Sequence, residues 1–449
     1  MDGLNEKHAI ENIMNKEAHS EEKISVFWFR RDLRLEDNTA LAKAISSGFP
    51  VLALFIFDTE IIDELPADDA RISFMYQQLE KIHKHLAEQN SSLHIFKGQP
   101  QAVWKELLDN FQVRAVYANR DYEPYATKRD QELGEWFEEQ GIGFHLFKDQ
   151  VIFEEGEVLK DDGKPYTVFT PYKRKWLERY HGSASTNVGY EANRGFLKET
   201  FPFPSLAKLG FTPSSIEVPP YDLSHLKDYA RMRDLPAPDA TSRLSPHLRF
   251  GTVSIRKIIG GLQPADEVFL SELIWREFFM QILFHFPRVV DQNFKAKYDG
   301  IDWLYREEDF ERWCKGKTGF PMVDAGMRQL NATGYMHNRV RMVTAGFLCK
   351  HLLVDWRMGE AYFAGKLLDY ELSSNNGNWQ WAAGTGCDAA PYFRIFNPES
   401  QLKKFDPDLE YVRRWIPEYG TPEYPEPMID HTFARERALK TYKKGMRQS

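Results

Sequence analysis

The chain has 449 residues and a formal net charge of −8, and with 42% hydrophobic and 28% charged residues it is neither a fibre, a disordered chain nor a strongly basic nucleic-acid binder. That length exceeds one ordinary core, so two domains joined by a connector are expected. Charge is uneven: residues 1–220 carry 26 Lys+Arg against 36 Asp+Glu and residues 221–449 carry 32 against 30, which leaves room for a basic face on the second half, because phosphate binding needs a patch and not a high pI.

Residues 1–22 are polar and acidic, without a basic start and apolar run, and read as a flexible N-terminus. From Ile24 onward short apolar runs alternate with helical patterns. Strands are expected over 24–29, 51–57, 93–96, 115–117 and 144–147, and helices over 38–46, 68–88, 101–110 and 125–139. Such alternation predicts a parallel sheet covered on both faces, a Rossmann-like α/β domain over 23–150. Its first strand is followed by Arg30-Arg31-Asp32-Leu33-Arg34 where a dinucleotide turn would carry Gly-x-Gly-x-x-Gly, so no dinucleotide is expected at that turn.

Residues 151–220 are rich in Gly, Ser, Thr and Pro, carry a basic-aromatic stretch at 172–180, and read as an interdomain connector with some helix. Beyond Tyr221 strand signals vanish. Helical periodicity over 253–260, 266–284, 321–333, 337–354 and 360–370 predicts an all-α domain spanning 221–449. No stretch reaches the roughly 18 apolar residues of a membrane span. Cys314, Cys349 and Cys387 have neither paired nor metal-ligand spacing, so no metal site is expected and a reducing, cytoplasmic compartment fits best.

Chemistry concentrates in the second half, where seven of the 11 Trp fall between Trp275 and Trp415. Thr241-Ser242-Arg243-Leu244-Ser245-Pro246 gathers hydroxyls and backbone N–H groups before a helix, either a phosphate cradle or ordinary N-capping. Glu272, Trp275 and Arg276 share one helix face by their spacing. Asn338, Arg339, Arg341, Met342 and Ala345 put polar groups among apolar ones on the next long helix, which suits a pocket wall as well as a core. The segment from Asp369, Tyr370 and Glu371 to Asn378 reads as an amide-rich turn ending a helix, followed at once by Trp379-Gln380-Trp381. Singly these have bland explanations. Together they suit hydrogen bonding and stacking around a heteroaromatic ring.

These residues also carry a resemblance. Residues 28–34 through Asp37-Asn38, then 241–246, 272–277, Lys317-Thr318-Gly319-Phe320-Pro321, Met336-His337-Asn338-Arg339 and 375–397 are similar to the motifs of the DNA photolyase/cryptochrome family, closest to its bacterial members that repair cyclobutane pyrimidine dimers, and the match spans about 24–415. The resemblance implies FAD held folded in the helical domain. Tyr229, Thr241, Ser242, Arg243, Leu244 and Ser245 would hold its phosphate and ribityl side. Arg341, Asp369 and Asn375, with Asn338, Tyr370 and Glu371, would surround the flavin, Asn375 facing N5. The family has Asp where Glu371 stands, which keeps the carboxylate and lengthens its reach.

The resemblance further implies a pyrimidine dimer flipped out of DNA. Trp275, Trp381 and Met342 would pack the dimer, Glu272 and Asn338 would hydrogen-bond its carbonyl edges, and Arg276, Arg339 and Arg394 would contact phosphates. Trp379, Trp356 and Trp303 match the family's electron-hopping chain from the surface to the flavin, and Trp313 and Trp415 read as packing. Tyr125-Ala126 stand where folate-binding members have Asn-Glu, and Asp291 stands where they have Lys. Residues 119–124 resemble members with a deazaflavin or flavin antenna, so a second chromophore is expected to be of that kind, or absent. The expected partner is DNA containing pyrimidine dimers, met by a monomer without membrane attachment. Two alternatives are a cryptochrome-type light receptor, against which Asn375 speaks because plant cryptochromes carry Asp there, and a (6-4) photolyase, whose His pair would need a second His at Asn338.

Overall fold

The computed structural model describes residues 22–180 and 195–448, so the expected flexible N-terminus lies, but for Glu22, outside the described residues. Five strands form one parallel sheet: β1 (Lys23–Phe29), β2 (Val51–Asp58), β3 (Leu93–Gly98), β4 (Gln112–Asn119) and β5 (Gly143–Phe147), in the order β3-β2-β1-β4-β5. β2, with every residue buried, shows why the period-2 signal is replaced by a continuous apolar run in a strand covered on both faces. Side chains of β1 alternate between two cores. Phe27 and Phe29 join Phe55 and Phe57 on one face, while Val26 and Trp28 join Leu54, Trp104 and Phe137 on the other. The crossovers are α1 (Thr39–Ile45), α2 (Ala70–Ala87), α3 (Pro100–Leu108) and α4 (Pro124–Glu139), α1 being capped by the Asn38 side chain. This is the α/β architecture the alternation predicts.

At the carboxyl ends of β1 and β4, where the strand order reverses, the turn lacking glycines is filled by its own charges. Arg30 pairs with Asp130 at 2.5 Å, and Asp32 accepts from Asn38 at 3.2 Å and Asn119 at 2.5 Å. Among its described residues the connector carries an α-helix, α5 (Phe169–Arg179), and a 3-10 turn, Leu206–Leu209, and α5 is preceded by an extended stretch that crosses onto the second domain.

That domain is helical, with α6 (Glu267–His285), α7 (Pro321–Thr333), α8 (Asn338–Gly346), α9 (Trp356–Lys366), α10 (Leu372–Ala383) and α11 (His431–Gln448) as its principal elements here. Two expectations are corrected. The run over 337–354 is not one α-helix: α8 gives way to a π-helical turn, Phe347–Leu352, ended by Leu353 in the left-handed region. The amide-rich segment through Asn378 is not a turn, because residues from Leu372 onward belong to α10. Asn and Gly disfavour helix, but Asn375, Asn376 and Gln380 of α10 each find a partner outside it. Asn376 donates to Val289 O at 2.8 Å and Gln380 to the same oxygen at 3.0 Å, while Gly377 lets the Phe279 ring lie against the helix where a methyl would collide with it.

The two domains are joined by buried ions. Asp149, after β5, accepts from Arg34 at 2.6 Å on one side and from Arg256 of the helical domain at 2.7 Å on the other, and Arg256 also reaches Asp37 at 3.0 Å. Burial alone would raise the Asp149 carboxyl, but the two guanidiniums more than offset it and hold it below its ordinary value. Such a carboxylate adds stability above its unfolded-state pKa, and that contribution is lost as pH falls. Asp149→Asn is therefore expected to cost about 3–5 kcal/mol, because two buried cations lose a shared partner. Denaturant unfolding at neutral pH checks this, and the gap to the unmodified protein should narrow on acidification.

Candidate functional site

A cavity of about 470 Å³ opens in the helical domain between α6, α8 and α10 and the segment before α6. Its size falls within the range of cofactor sites. Helix geometry explains why α10 serves it: Asn375, Asn378, Trp379 and Ala382 recur on one face and line the cavity, while Asn376 and Gln380 on another face hold the 289–294 turn.

One end is rich in donors. Thr241, Ser242, Arg243, Leu244 and Ser245 line it together with Tyr229 and Arg249, and Arg243 takes a left-handed φ of 49°. Ser245 donates to Asp369 at 2.6 Å, and Asp369 in turn takes both Arg341 nitrogens, at 3.2 and 2.9 Å. This links the hydroxyl end to the α8–α10 wall. Asn375 is 9% exposed, and its amide nitrogen donates to the Glu360 carboxylate at 2.8 Å, which fixes the amide with its carbonyl turned the other way.

Glu371 faces the cavity from α10's N-cap, and its longer side chain has an evident use. It accepts from Arg31 of the α/β domain at 2.5 Å and lies 3.5 Å from Arg276. Burial would raise this carboxyl, but Arg276, Arg31 and Arg249 together lower it. Arg276, expected at a DNA phosphate, lines this cavity beside Glu371. Its guanidinium donates to Gln150 O at 2.8 Å, and desolvation lowers its pKa.

Glu272, Trp275, Met342 and Trp381, all half-buried, and Asn338, exposed, line the same cavity. Glu272 is held by Arg233 at 2.6 Å, a partner that no sequence signal marked. Arg339 and Arg394 do not line the cavity: Arg339 pairs with Asp234 at 2.7 Å and packs its guanidinium over Phe405, and Arg394 is exposed. Of the three Trp expected to form a chain, Trp379 is in the cavity wall. Trp356 is fully buried and donates to Asn293 at 2.9 Å, and Trp303 is half-buried, edge-on to Tyr442 at 5.9 Å. The nearest rings recorded against Trp379 are Phe363 at 4.9 Å and Trp313 at 6.2 Å.

Residue types here fit FAD. Hydroxyls and cations suit a diphosphate, and amides, an Arg–Asp pair and aromatic walls suit a flavin ring. Most of the lining was legible in the sequence; among its polar and charged residues Arg233, Arg249, Tyr335 and His337 were not, of which Tyr335 donates to Thr241 at 3.1 Å. Nor was Arg31's role, because its partner Glu371 is 340 residues away.

Family models match twice along the chain: the FAD-binding domain of DNA photolyase over residues 269–422, and DNA photolyase over residues 25–189. A deoxyribodipyrimidine photo-lyase of Halobacterium salinarum is 36% identical across 94% of this chain and 99% of its own length. Among solved structures, a class III photolyase of Agrobacterium tumefaciens superposes with a TM-score of 0.83 at 33% identity, covering 96% of this chain and 98% of its own. A photolyase of Sulfolobus tokodaii with two FAD molecules gives 0.81 at 35% identity, covering 94% of this chain and 99% of its own.

The fit around Trp379 is tight enough to test by itself. Gly359 of α9 lies against its ring, and a methyl there would collide with Trp379 and Leu348, whereas Gly365 on the same helix has open space at that position. Gly359→Ala is expected to lower stability by roughly 1–3 kcal/mol through overpacking. Gly365→Ala should raise it by up to ~1 kcal/mol through helix propensity. Thermal unfolding of the two variants side by side checks the contrast.

Proposed function

The chain belongs to the DNA photolyase family, and on that premise we propose that it splits cyclobutane pyrimidine dimers in DNA under blue light, with FAD bound in the cavity of the helical domain. One observation carries the reading: the donor-rich end, the Asp369–Arg341 pair, Asn375 and the two walls Trp275 and Trp381 line one continuous cavity. FAD held there would supply light-driven one-electron chemistry with no net oxidation of the DNA.

The chain's own residues have three tasks. Thr241, Ser242, Arg243 and Ser245 bind the diphosphate and ribityl side, and Arg341, Asp369, Asn375 and Glu371 orient the flavin. At the mouth, Trp275, Trp381 and Met342 take up the flipped bases, a step eased because a damaged pair is already weakly stacked. Glu272, ion-paired with Arg233, is an acceptor and takes a pyrimidine N3–H, while the Asn338 amide donates to a carbonyl that gains negative charge. Arg339 and Arg394 lie toward the backbone of the DNA and position it. Trp379, Trp356 and Trp303 form a route by which an electron from the surface returns an oxidised flavin to its working state.

Ultraviolet-irradiated DNA mixed with the reduced protein should lose its dimers under blue light and none in the dark. Protein that binds dimers yet leaves them intact in the light would sink the enzyme reading. Repeated across wavelengths, the same assay reports a flavin or deazaflavin antenna as activity where reduced FAD absorbs little. Trp303→Phe is expected to slow flavin photoreduction by tenfold or more while sparing repair by chemically pre-reduced protein, about the effect of removing a hopping site on the order of 1.4 kcal/mol or more in barrier. Equal loss of both activities would remove the wire.

A further inference from the structure

We propose that Phe169, a residue of the connector, is a positioning residue for dimer recognition: it sets the plane of Trp275, the wall on which a flipped pyrimidine stacks. This rests on the reading of Trp275 as a wall of the lesion pocket. The Phe169 ring lies on the indole at 3.7 Å between centroids and 10° between planes, the closest parallel stack recorded among the described residues. Phe169 is 7% exposed, whereas Trp275 is half-buried and lines the cavity. One face of the indole is thus already covered from behind. What remains of the ring borders the space where a base would enter.

Phe169 is held by two carboxylates, neither of which lines the cavity. Its backbone N–H donates to Asp388 at 2.8 Å. Farther along α5, Trp176 Nε1 donates to Glu277 at 2.7 Å and Tyr172 OH to the same oxygen at 3.4 Å. Glu277 also accepts the backbone N–H of Ile152 at 2.7 Å and of Phe153 at 3.2 Å, so it grips the connector both before and within α5. Glu277 stands two residues after Trp275 on α6. The helix that carries the wall therefore also fixes the segment that backs it.

A half-buried Trp would otherwise turn about its side-chain bonds, and each base that stacks on it would have to stop that motion. A ring fixed in advance removes this cost from binding. Because Phe169 touches the indole and not the ligand, its effect should be confined to ligands that use the indole.

Phe169→Leu keeps an apolar side chain and removes the stack. Binding is measured to a short duplex carrying one thymine dimer and to the same duplex undamaged, with FAD content read from absorbance. The dimer duplex is expected to bind roughly threefold to tenfold more weakly, the size of one lost aromatic pair, with undamaged binding and FAD content unchanged. Combined with Trp275→Ala, the substitution should add nothing. Unchanged dimer affinity, equal loss on both duplexes, or losses that add in the double variant would each overturn the proposal. Should Phe169→Leu fold poorly, Asp388→Ala removes the acceptor of the Phe169 N–H with every ring in place, and a selective loss of smaller size is expected; no loss there overturns it equally. If Trp275→Ala itself leaves dimer affinity intact, the pocket reading fails, whereas loss with Trp275→Ala and none with Phe169→Leu defeats this inference alone.

Discussion

A guanidinium or carboxylate taken out of water must meet its opposite, and here many of the opposites belong to different domains. Arg31 and Arg34 follow β1 of the sheet domain; Glu371 and Arg256 belong to the helical one. Asp149 sits between Arg34 and Arg256 at 2.6 and 2.7 Å, so neither domain can turn against the other without leaving a buried ion uncompensated. The same constraint shapes the cavity. Glu371 lines it and is held by Arg31 of the sheet domain, and Arg276 pairs with Glu371 in turn, so among the described residues the sheet domain lines none of the cavity yet fixes part of its wall.

What was legible in the sequence follows from how local each signal is. β2 announced itself because a strand buried on both faces has no polar residue to interrupt it. α7 was legible to the residue, since Pro321 opens it and Gly334, at a φ of 66°, closes it. α10 was not. Its Asn, Ser and Gly carry a turn composition, and only the carbonyls of residues 289–292 and the ring of Phe279, far away in sequence, make a helix the better solution.

The site divides along the same line. Thr241, Arg341, Asn375 and Trp379 line one cavity, because most of them sit on helices whose faces are set by spacing. Arg276 shows the limit. Its place on the helix face was legible, but whether its charge meets solvent or Glu371 depends on a connector carbonyl at residue 150 and a carboxylate at residue 371. Phe169 carried no signal at all, being an apolar residue in a stretch that reads as a linker.

The stretch from residue 150 to residue 155 has no strand neighbour. Side chains of α6 stand in for one: Arg276 donates to Gln150 O, Gln281 to Phe153 O at 3.1 Å and His285 to Glu155 O at 2.9 Å, while Glu277 takes the N–H groups between. Glu277 follows Ile152 by 125 residues, so on the ribosome this stretch emerges well before the groups that satisfy it exist. At roughly 5–20 residues per second the wait is on the order of ten seconds. During synthesis, then, the sheet domain can close over its own cores while the strap leading out of it stays hydrated, and its polar groups are satisfied only when α6 arrives.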